Sequence, residues 1–192
     1  MSTAELKPEA PERLVTAEEL LRKYSGVVCD LIEGSVRTMS PTGWGHGSVE
    51  RRIATVLGDF VDEHALGDVG TGEVGFLIER DPDTVLAPDV AFVRQERLDA
   101  VGLIEGYFPE APALVVEVTS LHDTAEHVDD KVRRWLAAGC EMVWVVYPRG
   151  RSVTVYRSLE NVRILTGDAV LDGGGVVPGF SHPISEFFKG IP

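Results

Sequence analysis

The sequence predicts an α/β or α+β domain: one mixed β-sheet flanked by helices, with a β-hairpin near the N-terminus. Two observations carry this. The elements run hairpin, helix, strands, helix, strands, the pattern of a sheet with helices packed on it. One run, Met142 to Tyr147, is almost purely apolar, as a central strand covered on both faces should be. The 192 residues suit one domain, and a hydrophobic content of 44% suffices for its core. Residues 14–192 are expected to form that domain. Residues 1–13 are polar, carry two prolines and lack an apolar signal segment, so they read as a flexible tail.

Each element has a local reason. Thr16-Ala17-Glu18-Glu19 has capping-box spacing and opens a short helix to about Tyr24. Val27 to Ile32 and Ser35 to Ser40 pair as a hairpin turning at Glu33-Gly34. Pro41 to Gly47, with three glycines, reads as a loop. From His46 to about Ala65, Val49, Ile53, Val56, Leu57 and Phe60 recur at helical spacing, and Gly67 reads as a stop. Strands are expected at about 73–79 and 86–93, then a helical turn at 95–100 and a strand at 113–119. Asp123 or Thr124 caps a helix with the apolar stripe Ala125, Val128, Val132, Trp135 and Leu136, ended by Gly139. Strands at 142–147, 152–157 and 162–166 follow, then a triple-glycine turn at Gly173, and Phe180 to Phe188 packs back as a short segment.

Two of these strands carry one acid each. Asp89 sits in Leu86 to Val93 and Glu117 in Ala113 to Ser120, among β-branched and aromatic residues. A buried carboxylate is costly unless paired, hydrogen-bonded or bound to a metal. Two on neighbouring strands make an oxygen-ligand site for a hard cation, Mg²⁺ or Mn²⁺. Lys131 can join them. From Glu117 to Ser120 is about 10 Å of strand, and from Asp123 to Lys131 about 12 Å of helix doubling back. Lys131 then lies abreast of Glu117, or else is a solvated lysine of the charged run at Asp129. His46 and Asp30 are two further residues to weigh, and a lone histidine is usually structural or solvated. His46 sits in the glycine-rich loop before the long helix, and Asp30 lies inside the first hairpin strand as a third site acid or its solvent side.

Other signals narrow the choice. Gly70 to Gly75 matches GxGxxG but follows a helix and leads into a strand, the reverse of a dinucleotide site. No GxSxG elbow, P-loop or HExxH helix is present. No apolar run approaches the ~20 residues of a membrane span. Cys29 and Cys140 have neither metal nor redox spacing, which suits a reducing cytoplasm. With 18 basic and 31 acidic residues, the net charge is −13. Nucleic-acid binders usually present a basic face. Local clusters at Arg51-Arg52, Lys131 to Arg134 and Arg149 to Arg151 are either scattered charge or a binding stripe.

These residues resemble the Uma family of restriction-endonuclease-like proteins, in the PD-(D/E)XK nuclease superfamily. The likeness runs over about 16–188. It rests on the opening Thr16 to Leu20, the hairpin Cys29 to Pro41, His46, Ala87 to Val93, Leu114 to Ser120, the Lys131 helix and Met142 to Pro148. The resemblance implies a restriction-endonuclease-like α/β fold and metal-dependent nuclease chemistry on DNA. Asp89 and Glu117 would hold the metal, with Lys131, His46 and Asp30 assisting. Thr119 stands where the superfamily has its lysine, and the resemblance implies that Lys131 replaces it from the helix. Asp30 stands where the family usually has glutamate. The expected protein is a Mg²⁺- or Mn²⁺-dependent endonuclease acting as a cytoplasmic homodimer. The rivals are a non-catalytic interaction protein on the same fold and an enzyme with another phosphoryl-transfer or hydrolytic activity on a small substrate. The acidic charge, Trp44 in its loop and Thr119 suit the first rival.

Overall fold

The computed structural model describes residues 13–72, 74–121 and 123–191. All but the last residue of the expected tail, 1–13, lies outside the described residues. Along the chain come α1 (Ala17–Lys23), β1 (Cys29–Ile32), β2 (Ser35–Thr38), α2 (Trp44–Glu63) and β3 (Gly67–Thr71). Then follow β4 (Phe76–Glu79), β5 (Thr84–Leu86), β6 (Val90–Arg94), α3 (Gln95–Val101), β7 (Leu114–Val118) and α4 (Ala125–Ala137). The chain continues through β8 (Met142–Tyr147), β9 (Ser152–Tyr156), β10 (Val162–Thr166), β11 (Val170–Asp172), β12 (Ser181–Pro183) and the 3₁₀ helix Ile184–Phe188.

A six-stranded mixed sheet in the order β10-β9-β8-β7-β6-β3 forms the centre, with β7 and β8 parallel and the other neighbours antiparallel. Alternation along the strands divides the core into two faces. Val90, Phe92, Leu114, Val116 and Trp144 meet Val49, Ile53, Leu57 and Val61 of α2. Val115, Val143 and Val145 meet Val132 and Trp135 of α4 on the other face. The two long helices therefore sandwich the sheet, as their sequence stripes require.

Four expectations are corrected. The one mixed sheet is joined by a four-stranded sheet, β2-β1-β5-β4, and a two-stranded one, β11-β12. The strand expected at 86–93 is two, β5 and β6, in different sheets. Pro88 has no N–H for a ladder, and the neighbouring backbone is held by side chains instead: Ala87 N–H donates to Asp30 Oδ1 at 3.0 Å. The loop expected at 41–47 ends early, because α2 begins at Trp44 and takes His46 into its first turn. Gly45 and Gly47 are poor helix formers, but twenty residues with a buried stripe outweigh their cost of about 1 kcal/mol each. Gly67 opens β3 rather than stopping the helix.

Gly67 has a further reason to be glycine. Its φ is +151°, and a Cβ there would stand 2.0 Å from Val93 O. Gly67→Ala is expected to destabilise the fold by about 3 kcal/mol or more, through backbone strain at the β3–β6 pair. Urea denaturation reads it, and a loss under about 1 kcal/mol would show that the pair slides aside.

Candidate active site

The site lies at one end of the six-stranded sheet, where both helices reach its rim. The β6–β7 register pairs Val90 with Val116, so Asp89 stands one step beyond, opposite Glu117. Asp89 leaves the ladder because Pro88 precedes it. Its Oδ2 accepts the Val118 N–H at 2.6 Å, which pins the acid across the strand ends.

On the α2 side, His46 is buried, and its Nε2 lies 3.4 Å from Asp89 Oδ1. Its Nδ1 lies 3.7 Å from Glu50 Oε2, one helical turn on. That Nδ1 is buried with no hydrogen-bond partner among the described residues. Ligand atoms of His46, Glu50 and Asp89 all fall within 4.8 Å of one another, a group able to hold a metal ion. Burial draws the His46 imidazole down, but Asp89 and Glu50 beside it outweigh this and hold it above its usual value. Burial and the Asp89 charge push the Glu50 carboxyl up.

On the α4 side, Lys131 Nζ donates to Glu117 Oε2 at 2.7 Å and lies 4.0 Å from Asp30 Oδ2. Trp135 Nε1–H donates to Glu117 Oε1 at 2.8 Å. Lys131 and Trp135 are four residues apart on α4 and so share a face. Thr124 starts that helix in register, its hydroxyl accepting the His127 N–H at 3.1 Å. Burial, with the Asp89 charge, pushes the Glu117 carboxyl up to about 7, against the pull of Lys131. Burial works against the Lys131 charge too, but Glu117, Asp30 and Asp89 more than offset it and raise the ammonium well above its usual value.

Residues 17–185 match the Uma2 family, described as "Putative restriction endonuclease". The chain belongs to this family. It is similar in fold to a crystal structure of a "putative nuclease belonging to DUF820" from Anabaena variabilis ATCC 29413, with a TM-score of 0.79 and 20% identity over 91% of this chain and 97% of that one. No curated protein matches it.

In this Uma2 chain the five residues singled out in the sequence stand in two adjoining groups. Asp89 and His46 meet on the α2 side, and Glu117, Lys131 and Asp30 on the α4 side. The Lys131 ammonium stands beside Glu117 and comes from α4, not from the strand that carries the acid. Thr119 donates its hydroxyl to Val146 O at 3.2 Å. Asp30 is a buried acid bridging Ala87 and Lys131, not the solvent side of its hairpin. Sequence reasoning missed Glu50. Its four-residue spacing from His46, inside the helix expected from His46 onward, was the available signal.

Proposed function

We propose that this chain is a DNA endonuclease that hydrolyses phosphodiester bonds with a divalent cation, Mn²⁺ or Mg²⁺. The observation that carries the reading is an ammonium, Lys131, held 2.7 Å from a buried acid next to three residues whose ligand atoms stand close enough to hold a metal ion. The family description supports nucleic acid as the substrate class. Cytoplasmic location and homodimeric assembly belong to the same proposal.

The residues fit a cation. The orphaned His46 Nδ1 lacks a partner among the described residues and faces Glu50 Oε2 at 3.7 Å, while Asp89 stands 3.4 Å from the other ring nitrogen. His46, Glu50 and Asp89 would hold the ion, with Glu117 bordering it from the next strand. An imidazole nitrogen in the set favours Mn²⁺ over Mg²⁺, which prefers oxygen throughout. The bound cation supplies charge neutralisation at the phosphate and a more acidic water. Lys131 stays charged near neutrality and donates to the phosphate oxygens as charge builds there. Glu117 and Trp135 aim that ammonium, so little reorganisation is needed when the substrate arrives.

Supercoiled plasmid and a single-stranded oligonucleotide, each incubated with Mn²⁺ or Mg²⁺ at low salt, test the reading, with chelation as control. No cleavage of plasmid or of a single-stranded oligonucleotide with either ion would overturn it in favour of a non-catalytic interaction protein, which the net charge of −13 suits. Metal binding has its own expected result. His46 and Glu50 both hold protons more tightly than usual, so protons compete with the cation as pH falls. Mn²⁺ affinity by calorimetry should rise about 10-fold from pH 6 to pH 8, and Glu50→Gln should weaken it. A flat pH profile would remove His46 and Glu50 as ligands.

A further inference from the structure

A groove beside Glu50 and an exposed indole next to it have no part in the chemistry so far. Trp44 is the first residue of α2, two before His46, and is 92% exposed. The other two tryptophans, Trp135 and Trp144, are fully buried. One turn further along that face comes Gly47, and one turn beyond it Arg51. Gly47, Glu50, Arg51, Ala54 and Thr55, with Thr71 at the end of β3, line a groove of about 440 Å³. Arg51 has no ion pair among the described residues. A Cβ on Gly47 would meet nothing within 4 Å, so a ligand can approach the backbone there.

We infer, resting on the nuclease reading above, that this surface binds an unpaired DNA strand, with Trp44 stacked on a base and Arg51 on a backbone phosphate. The groove starts at an acid of the metal constellation and carries a cation and two hydroxyls, which suits a sugar-phosphate chain leading into the site. With a net charge of −13, the protein gains little affinity from long-range attraction. Stacking does not depend on charge, and every base has a face to offer. In an intact duplex those faces are already stacked on one another. Single-stranded, frayed or flapped DNA is therefore the favoured substrate.

The test uses a 20-nucleotide single strand and the matching duplex with the full-length protein and chelator, so that nothing is cut. Binding is read by anisotropy and by tryptophan emission. The single strand should bind more tightly than the duplex and quench emission, since Trp44 is the exposed indole. Trp44→Ala should weaken single-strand binding about 10- to 100-fold and abolish the quench, with the salt dependence unchanged. Trp44→Phe should retain most of the affinity. Arg51→Ala should lower the slope of log affinity against log salt by about 0.7.

Wild-type affinity in Trp44→Ala, or equal affinity for strand and duplex, would overturn the inference. So would a halved solution mass in Trp44→Ala, which would mark the indole as a contact between copies. If Trp44→Ala binds normally while plasmid cleavage remains metal-dependent, this site falls and the nuclease reading stands. If the wild type neither binds nor cuts DNA at low salt, both fall.

Discussion

Asp89→Asn lowers metal-dependent plasmid cleavage by about 10³-fold or more, the equivalent of ~4 kcal/mol of transition-state stabilisation. Asp89 is the residue both halves of the site share. It faces His46 directly and its charge raises Glu50 and Glu117 as well. Asparagine removes that charge but keeps an oxygen able to accept the Val118 N–H, now bonded at 2.6 Å. The junction of β6 and β7 is therefore retained, and denaturation should show a change under about 1 kcal/mol. A variant that folds but cuts within 10-fold of wild type would dismiss Asp89 from the chemistry.

Lys131→Met is the second large effect. Cleavage should fall about 10²- to 10³-fold, the usual cost of one preorganised donor at a phosphoryl centre. Lys131→Arg should rescue poorly, because a planar fork cannot sit where a compact ammonium bridges Glu117 and Asp30. Stability changes too, in a pH-dependent way. Glu117 already has its carboxyl pushed up to about 7 by burial. Without Lys131 it rises further, so the folded variant binds a proton more tightly than the unfolded chain. Its stability is then fully present below the ordinary glutamate range and is lost as pH rises through the folded value. The stability gap between wild type and Lys131→Met should widen from pH 6 to pH 9 in urea melts. A gap that narrows would show that Glu117 is not buried in this way, and undiminished cleavage would remove Lys131 from the mechanism.

The elements that were legible are those with one local cause. Thr16 and Thr124 cap their helices through their own hydroxyls. The α2 and α4 stripes and the apolar β8 declare their buried faces through periodicity. Elements with a distant cause were misread. Gly67-Asp68-Val69-Gly70-Thr71 has little strand character, and it is a strand because β6 supplies its ladder partners. Val170–Asp172 and Ser181–Pro183 pair only with each other, across the glycine turn. Gly45 and Gly47 argue for a loop, yet burial of Val49 and Ile53 draws the helix back over them.

The sequence by itself determined the fold class, the family and which acids are anomalous. Those follow from periodicity, motif order and the cost of a charge among apolar neighbours, all of which are local. Only the tertiary structure decided how the anomalous residues are grouped. Because α2 and α4 lie on opposite faces of one sheet, His46 and Glu50 reach Asp89 from one side while Lys131 and Trp135 hold Glu117 on the other. No spacing along the chain encodes that partition. It arises where Pro88 ends a ladder and leaves Asp89 at the rim, exposed to both helices at once.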